Sequence, residues 1–425
     1  MISQQVRSGS EFPNAEAMDI ADPLASFRDR FHFPEIEGDQ RPLYFTGNSL
    51  GLMPKKAREY VEQELDDWSR LAVEGHLHAR NPWLPYHEFL TEPMARLVGA
   101  LPSETVVMNA LTVNLHLMMV SFYRPTLERY KIVIEKGAFP SDQYAVDSQI
   151  KWHKGDRNWL VELTPREGES TLRTEDVVDK IDREGESIAL IMLGGVNYYT
   201  GQAFDMAAIT AKGREKGCVV GFDCAHAAGN LALRLHDWDV DFAVWCSYKY
   251  LNGGPGAVAG AFVHERHLHA FELPRFAGWW GNNKQTRFLM GPEFDCLPGA
   301  EGWQLSNPPI LQMAALRASL EIFDEATMSA LRGKSVKLTG YLESLIDGIG
   351  DDRIEVITPR DPAQRGCQLS IRVRGGDRSL HQKLSERGVV SDWREPDVIR
   401  VAPTPLYNSF NDVHRFSVIL KECLA

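Results

Sequence analysis

Lys249 stands between Tyr248 and Tyr250 in the run WCSYKYLNGG, after Asp241, Phe242, Ala243, Val244 and Trp245 and before Gly253, Gly254, Pro255 and Gly256. The apolar residues read as a buried strand and the glycines as a turn, so this lysine sits where a strand leaves the core. A lysine in that place is either a satisfied structural charge or a nucleophilic amine. Twenty-six residues earlier, Asp223 ends another apolar run, CVVGFD. A carboxylate so placed needs a cationic partner to stay ionised. A buried Asp223–Lys249 ion pair would meet that need. So would pyridoxal phosphate, whose protonated ring nitrogen faces an aspartate while its aldehyde condenses with a lysine.

The neighbours separate these two readings. His226 lies one helical turn beyond Asp223, where it can touch a cofactor, orient the aspartate or simply fill the core. Ser247 and Tyr248 flank the lysine with hydroxyls able to reach a phosphate. In NALTVNLH, Leu111 and Thr112 fall at an expected helix N-terminus, where free N–H groups favour an anion. KGAFPSDQY supplies a second strand-to-helix turn, with Phe139 placed to stack on a ring and Asp142 to accept from a ring hydroxyl. Several strand ends thus point to one ligand, as open α/β sheets commonly arrange.

The elements that must position these residues are legible in the texture of the chain. From about Thr105, the runs VVMNALT, KIVIEKGAF, WLVELT, IALIMLGGV, CVVGFD, DFAVWCSYK and AGAFVHE read as strands covered on both faces, and most are separated by helical segments. This predicts a large α/β domain with a mostly parallel sheet at 54–309, after an N-terminal arm at 1–53. Pro54 opens a helix whose apolar face is Ala57, Tyr60, Val61, Leu65, Trp68, Leu71 and Ala72. One long helix is expected from Ile310 through Leu345. RIEVIT, CQLSIRV, VVSDW and VIRVAP then read as strands, and SLHQKLSERG and NDVHRFSVILKECL as helices, predicting a smaller α+β domain at 310–425.

Charge and composition narrow the function. A net charge of -12 argues against nucleic acid or an anionic membrane as the main partner. No signal-peptide core and no apolar run of about 18 residues is present, so a cytoplasmic protein is expected. The six cysteines form no C-x-x-C pair and read as reduced, mostly buried thiols. HERHLH has Leu268 where a zinc helix needs its second histidine, and no metal is expected. Gly254, Gly256 and Ala259 match a dinucleotide fingerprint only in letters, because Pro255 interrupts it and a strand follows. Gly333, Lys334 and Ser335 lack the earlier glycine of a phosphate loop, since Met328 holds that position.

YFTGNSLGLMP, MNALTVNLH, AFPSDQYA, GVNYYTGQ, GFDCAHAAGN, DFAVWCSYKYLNGGPGAVAGAFVHE, GWWG, SNPPI and RVAPTPLYNSF together closely resemble the kynureninase family, from about Tyr44 to the C-terminus. The resemblance implies a pyridoxal-phosphate enzyme of fold type I, in the class V aminotransferase branch, and a homodimer. It implies that Lys249 carries the cofactor and Asp223 pairs with its pyridinium. Leu111, Thr112 and Tyr248 would hold the phosphate, Phe139, Pro140, Ser141 and Asp142 would bracket the ring, and His226 matches a cofactor contact. Trp279 and Asn307 match residues that reach the cofactor and substrate from the neighbouring subunit. Gly194 stands where some relatives carry a hydroxyl, so a phosphate or substrate contact there is lost or passes to water.

The implied reaction is hydrolysis of the Cβ–Cγ bond of kynurenine or 3-hydroxykynurenine, giving alanine and an anthranilate, a step of tryptophan breakdown. Arg400 would grip the α-carboxylate, Lys249 would take the α proton, and Tyr248 would carry protons to and from it. His76, Ser306 and Asn307 resemble the pattern of members that favour the 3-hydroxylated substrate, and Ser49 would join that pocket or cap a turn. A cysteine desulfurase or aminotransferase of the same branch is the nearest alternative, and a binding protein on a retired enzyme fold a more distant one.

Overall fold

A computed structural model of the chain describes residues 14–35 and 41–425. Parts of the expected arm, 1–13 and 36–40, lie outside the described residues. The first strand, β1 (Leu43–Tyr44), stands apart from the main sheet. The next seven are β2 (Thr105–Val107), β3 (Lys131–Glu135), β4 (Leu160–Leu163), β5 (Ile188–Gly194), β6 (Val219–Asp223), β7 (Phe242–Trp245) and β8 (Gly260–Val263). They hydrogen-bond in the order β2-β8-β7-β6-β5-β3-β4. Neighbours from β7 to β4 are parallel, and β8 runs against both of its neighbours.

Both faces of this sheet are buried, which is why its strands read as unbroken apolar runs. Val133, Ile191, Leu193, Val220, Phe222, Ala243 and Trp245 enter one core. Their alternates Ile132, Ile134, Leu190, Met192, Phe242 and Val244 enter another on the opposite face. A Cβ on Gly221 would collide with the ring of Phe242, so a glycine in β6 lets that ring lie across the strand.

The helix after Pro54, Lys55–Leu71, corrects part of the expected apolar face. Leu65 and Trp68 are exposed, while Glu64 and Asp67 are buried. Glu64 accepts from Asn81 Nδ2, Trp83 Nε1 and Tyr86 OH, each at 3.0 Å, and Asp67 accepts from the Arg80 N–H at 2.9 Å. Donors in this number let the two acids be buried with their oxygens satisfied. The expected long helix is two, Ile310–Ala326 and Met328–Ile349. Thr327 breaks the path with φ +63°, and its Oγ1 caps the second helix through Ala330 N.

The C-terminal strands are β9 (Ile354–Val356), β10 (Leu369–Val373), β11 (Val389–Val390), β12 (Asp392–Arg394) and β13 (Val398–Val401). Four of them form an antiparallel sheet, β12-β13-β10-β9, while β11 pairs in parallel with β1. Its core takes Leu338 and Leu342 from one helix, Phe416 and Leu420 from the last, and Ala15, Leu43 and Phe45 from the N-terminal segment. Arg28 binds Asp412 and Lys334 Nζ meets Asp22 at 2.7 Å, fastening that segment in place. Helix Ile310–Ala326 instead packs its apolar residues, including Met313, Leu316 and Leu320, into the core of the large sheet. Among the described residues no helix is long and apolar enough to cross a membrane.

Candidate active site

The C-terminal ends of β3, β5, β6 and β7 open on one cleft. Two helices begin on its wall: Leu111–Phe122, with Leu111 and Thr112 in its first turn, and Pro140–Trp152, entered through Phe139. Thr112 Oγ1 and Ser141 Oγ are 2.9 Å apart, so the two helix starts share one corner of the cleft. Pro140 at the first helical position has no N–H to leave unpaired.

Lys249 follows β7, is 9% exposed, and places Nζ 3.0 Å from His226 Nε2. Its ammonium nitrogen lies 5.7 Å from the Phe139 ring and 5.8 Å from the Tyr248 ring. Burial pushes the His226 pKa well down, and the charges of Lys249, Arg400 and Arg394 push it further. Burial likewise raises the Tyr248 phenol, so it keeps its proton at neutral pH. Ser247 Oγ is buried without a partner and does not wall the cleft.

Three carboxyl groups line the same cleft. Asp223 accepts from the Ala225 N–H at 2.7 Å, and burial raises its pKa. Asp142 is raised well above the carboxylate range by burial, by the charges of Asp223 and Glu135, and by a hydrogen bond to Asp223. Glu135, at the end of β3, is pushed up to about 7 by burial, against N–H donation that includes Gly194 at 3.3 Å. A Cβ on Gly194 would come 3.0 Å from Glu135 Oε1, so the bare glycine and this acid fit one another.

Sequence reasoning missed Glu135 and Tyr198, both on the cleft wall. Glu135 carries the same signal that singled out Asp223, an acid closing an apolar strand run. Tyr198 gave no such signal; its ring packs edge-on against Phe139 at 5.2 Å.

The other expected site residues do not wall this cleft. Arg400 is 1% exposed on β13; its Nε donates to Asp392 Oδ1 at 2.6 Å, its Nη2 to Asp392 Oδ2, and its Nη1 to the Tyr198 carbonyl at 2.8 Å. The Ser49 loop is fastened beneath Lys249, since the Gly51 N–H donates to the Tyr248 carbonyl at 2.8 Å. His76 packs edge-on against Trp83, with Nδ1 buried and unpartnered. Trp279 is 42% exposed and donates from Nε1 to the Arg287 carbonyl. Ser306 and Asn307 are exposed on a separate depression beside Asn109 and Ala110. His264, from the failed zinc pattern, joins Glu104 and His236, but the Glu104 carboxylate already accepts the Leu101 and Glu265 N–H groups.

Residues 331–420 match the family model described as the kynureninase C-terminal domain. Kynureninase of Koribacter versatilis is 64% identical over 400 residues, 94% of each chain. The Myxococcus xanthus kynureninase is 62% identical over 403 residues, 95% of each chain. That of Flavobacterium johnsoniae is 52% identical over 412 residues, 96% of this chain and 97% of its own. Among solved structures, the Escherichia coli cysteine desulfurase CsdA is similar with TM-score 0.77 at 17% identity, over 94% of this chain and 98% of that one. A cystine C-S lyase in complex with cysteine persulfide gives 0.74 at 17% identity, over 90% and 97%. The likeness to these two shows the fold, type I of the pyridoxal-phosphate enzymes. Identity above half, sustained along nearly the whole length of three relatives, shows that the chain belongs to the kynureninase family.

Proposed function

We propose that this enzyme hydrolyses the Cβ–Cγ bond of L-kynurenine or 3-hydroxy-L-kynurenine, releasing L-alanine and anthranilate or 3-hydroxyanthranilate, with pyridoxal 5'-phosphate as cofactor. The observation that carries the reading is the cleft in which Lys249, His226 and three buried carboxyl groups converge beside two helix N-termini. Its residues fit the cofactor. Asp142 Oδ1 and His226 Nδ1 are buried without partners. Three acids around one amine favour an added cation such as a protonated pyridine. The paired helix starts, with Thr112 and Ser141, favour a phosphate.

When bound, pyridoxal phosphate withdraws electrons from the substrate's α-carbon. Asp223 would pair with the ring nitrogen and hold it cationic, Asp142, whose pKa is raised by burial and by Asp223, would meet the ring hydroxyl, and Phe139 would cover the ring. Lys249 takes the α proton; neutral His226 accepts a hydrogen bond from it and aims the amine. Tyr248, still a phenol, passes protons between Lys249 and the departing fragment. Arg400 receives the α-carboxylate through the donors that Asp392 leaves open.

The substrate preference proposed is for the 3-hydroxy compound, with His76, Ser306, Asn307 and Ser49 around the aryl ring. The enzyme works as a homodimer in which the partner brings Trp279 and Asn307 to this cleft. The exposure of both residues, together with the outward-facing Phe288, Leu289 and Met290, supports that arrangement. Six free thiols support a reducing, cytoplasmic setting. The proposed division is an arm at 1–53, a large unit at 54–309 and a small one at 310–425, the small one lending helix Ile310–Ala326 to the core of the large sheet.

Turnover of both kynurenines, compared with sulfur release from cysteine, tests the reading. Anthranilate or its 3-hydroxy form is expected, together with a visible absorption band that Lys249→Ala abolishes; sulfur release without aryl acid would refute it. The desulfurase alternative is weak because Cys296, the least buried thiol, is engaged by Arg275. If replacing His76 and Asn307 leaves discrimination between the two substrates unchanged, the aryl-pocket assignment is wrong.

A further inference from the structure

Arg400 does not present a free fork. Asp392 stands directly opposite it across β12 and β13 and takes the Nε–Nη2 edge, one of the edges that can hold a carboxylate bidentately. With one Nη1 N–H given to the Tyr198 carbonyl, two of its five N–H groups, one on each Nη, remain for a substrate.

A second guanidinium stands beside it. Alternation along β12 sends Trp393 into the small core and puts Asp392 and Arg394 on the same face. Arg394 Nη2 lies 3.2 Å from Asp392 Oδ2, so one carboxylate is shared by two guanidinium groups. Arg394 Nε is buried with no protein partner and so offers a donor to an incoming acceptor. Burial and the charge of Arg400 hold the Arg394 pKa below the ordinary arginine value, while Asp392 and the Tyr198 phenol oppose that. Tyr198 walls the cleft, and the charges of both arginines reach His226, the partner of Lys249. Two guanidinium groups and one carboxylate leave a single net positive charge behind the Tyr198 carbonyl, which matches one incoming carboxylate.

We infer that Arg394 is a second binding residue for the α-carboxylate of the amino-acid substrate, and that Asp392 is a positioning residue that divides the two arginines between itself and that carboxylate. The inference rests on the reading of the cleft as a kynurenine site. The substrate carboxylate meets the free end of Arg400 and the unpaired Nε of Arg394, and Asp392 keeps the two guanidinium groups from repelling each other out of register.

The test uses the holoenzyme and two probes, L-alanine and L-alaninamide, which differ only in the charged carboxylate. Binding is read from the visible absorption of the cofactor, and kcat and KM from kynurenine turnover. Arg394→Gln is expected to weaken L-alanine and raise KM by about tenfold to a hundredfold, the scale of one charge-assisted hydrogen bond. L-alaninamide binding and kcat should change little, and Arg394→Lys should recover part of the loss. Asp392→Asn should lower kcat more than it raises KM, because the charge that attracts the carboxylate stays while its placement is lost. The inference is overturned if Arg394→Gln binds L-alanine like the wild type, or loses both probes equally. Either result beside normal wild-type turnover refutes this assignment alone. A wild type that neither cleaves kynurenine nor distinguishes the probes refutes the site reading with it.

Discussion

Replacing Glu135 by Gln removes one negative charge from the cleft floor while keeping the shape of the side chain and an acceptor for the Gly194 N–H. The carboxyl is fully buried, and its pKa rises from 4.5 to about 7. In the unfolded chain it ionises at its ordinary value, so the folded state binds the proton more tightly. The stability it contributes is present in full below about pH 4.5, declines as pH rises, and is gone above about pH 7. At about 1.36 kcal/mol per pKa unit, the interval amounts to roughly 3 kcal/mol. Relief of the repulsion that Glu135 exerts on Asp142 acts in the same direction. Urea unfolding of cofactor-free wild type and Glu135→Gln, followed by tryptophan fluorescence from pH 5 to 8, measures this directly. The variant should gain on the wild type as pH rises, by about 2–3 kcal/mol across that range. A difference that stays flat with pH, or that shifts in favour of the wild type, would refute the reasoning.

Glu64→Ala strands two buried donors and a half-buried third and should cost about 3–5 kcal/mol, seen as a fall in thermal midpoint that Glu64→Gln largely avoids. Asp22→Ala leaves the Lys334 ammonium buried and unpaired, a loss of about 3–5 kcal/mol in denaturant unfolding; adding Lys334→Met should recover most of it. Gly194→Thr forces its new Cβ against Glu135 Oε1 and should cost about 1–3 kcal/mol, a penalty that shrinks when Glu135 is Ala.

The sheet was legible because each strand is buried on both faces, leaving unbroken apolar runs that end on polar residues. Those ends line the cleft, so the sequence alone brings Asp223, Lys249 and Phe139 together. Glu135 obeyed the same rule but lay outside a search built around a lysine and its opposing acid. The face of Lys55–Leu71 misled because periodicity registers side-chain polarity, whereas burial of Glu64 depends on donors that arrive 17 to 22 residues later. Arg400 was visible as a cation, but its pairing with Asp392 follows from strand register across a hairpin, which composition does not encode. Ser49, His76, Trp279, Ser306 and Asn307 stand on short turns and loops whose course no repeat fixes.

The pairing of β1 with β11 sets a timetable for the nascent chain. Leu43 and Tyr44 emerge from the ribosome some 345 residues ahead of Val389 and Val390. At about 5–20 residues per second, that wait is tens of seconds, ample for a large domain to fold first. Leu43 and Phe45 therefore wait through most of synthesis for Val389 and its neighbours, and the last helix completes their core with Phe416 and Leu420. A stop codon just before that helix would strip Phe416 and Leu420 from the small core and leave Phe45 without the ring that packs against it, an opening for chaperones and proteases.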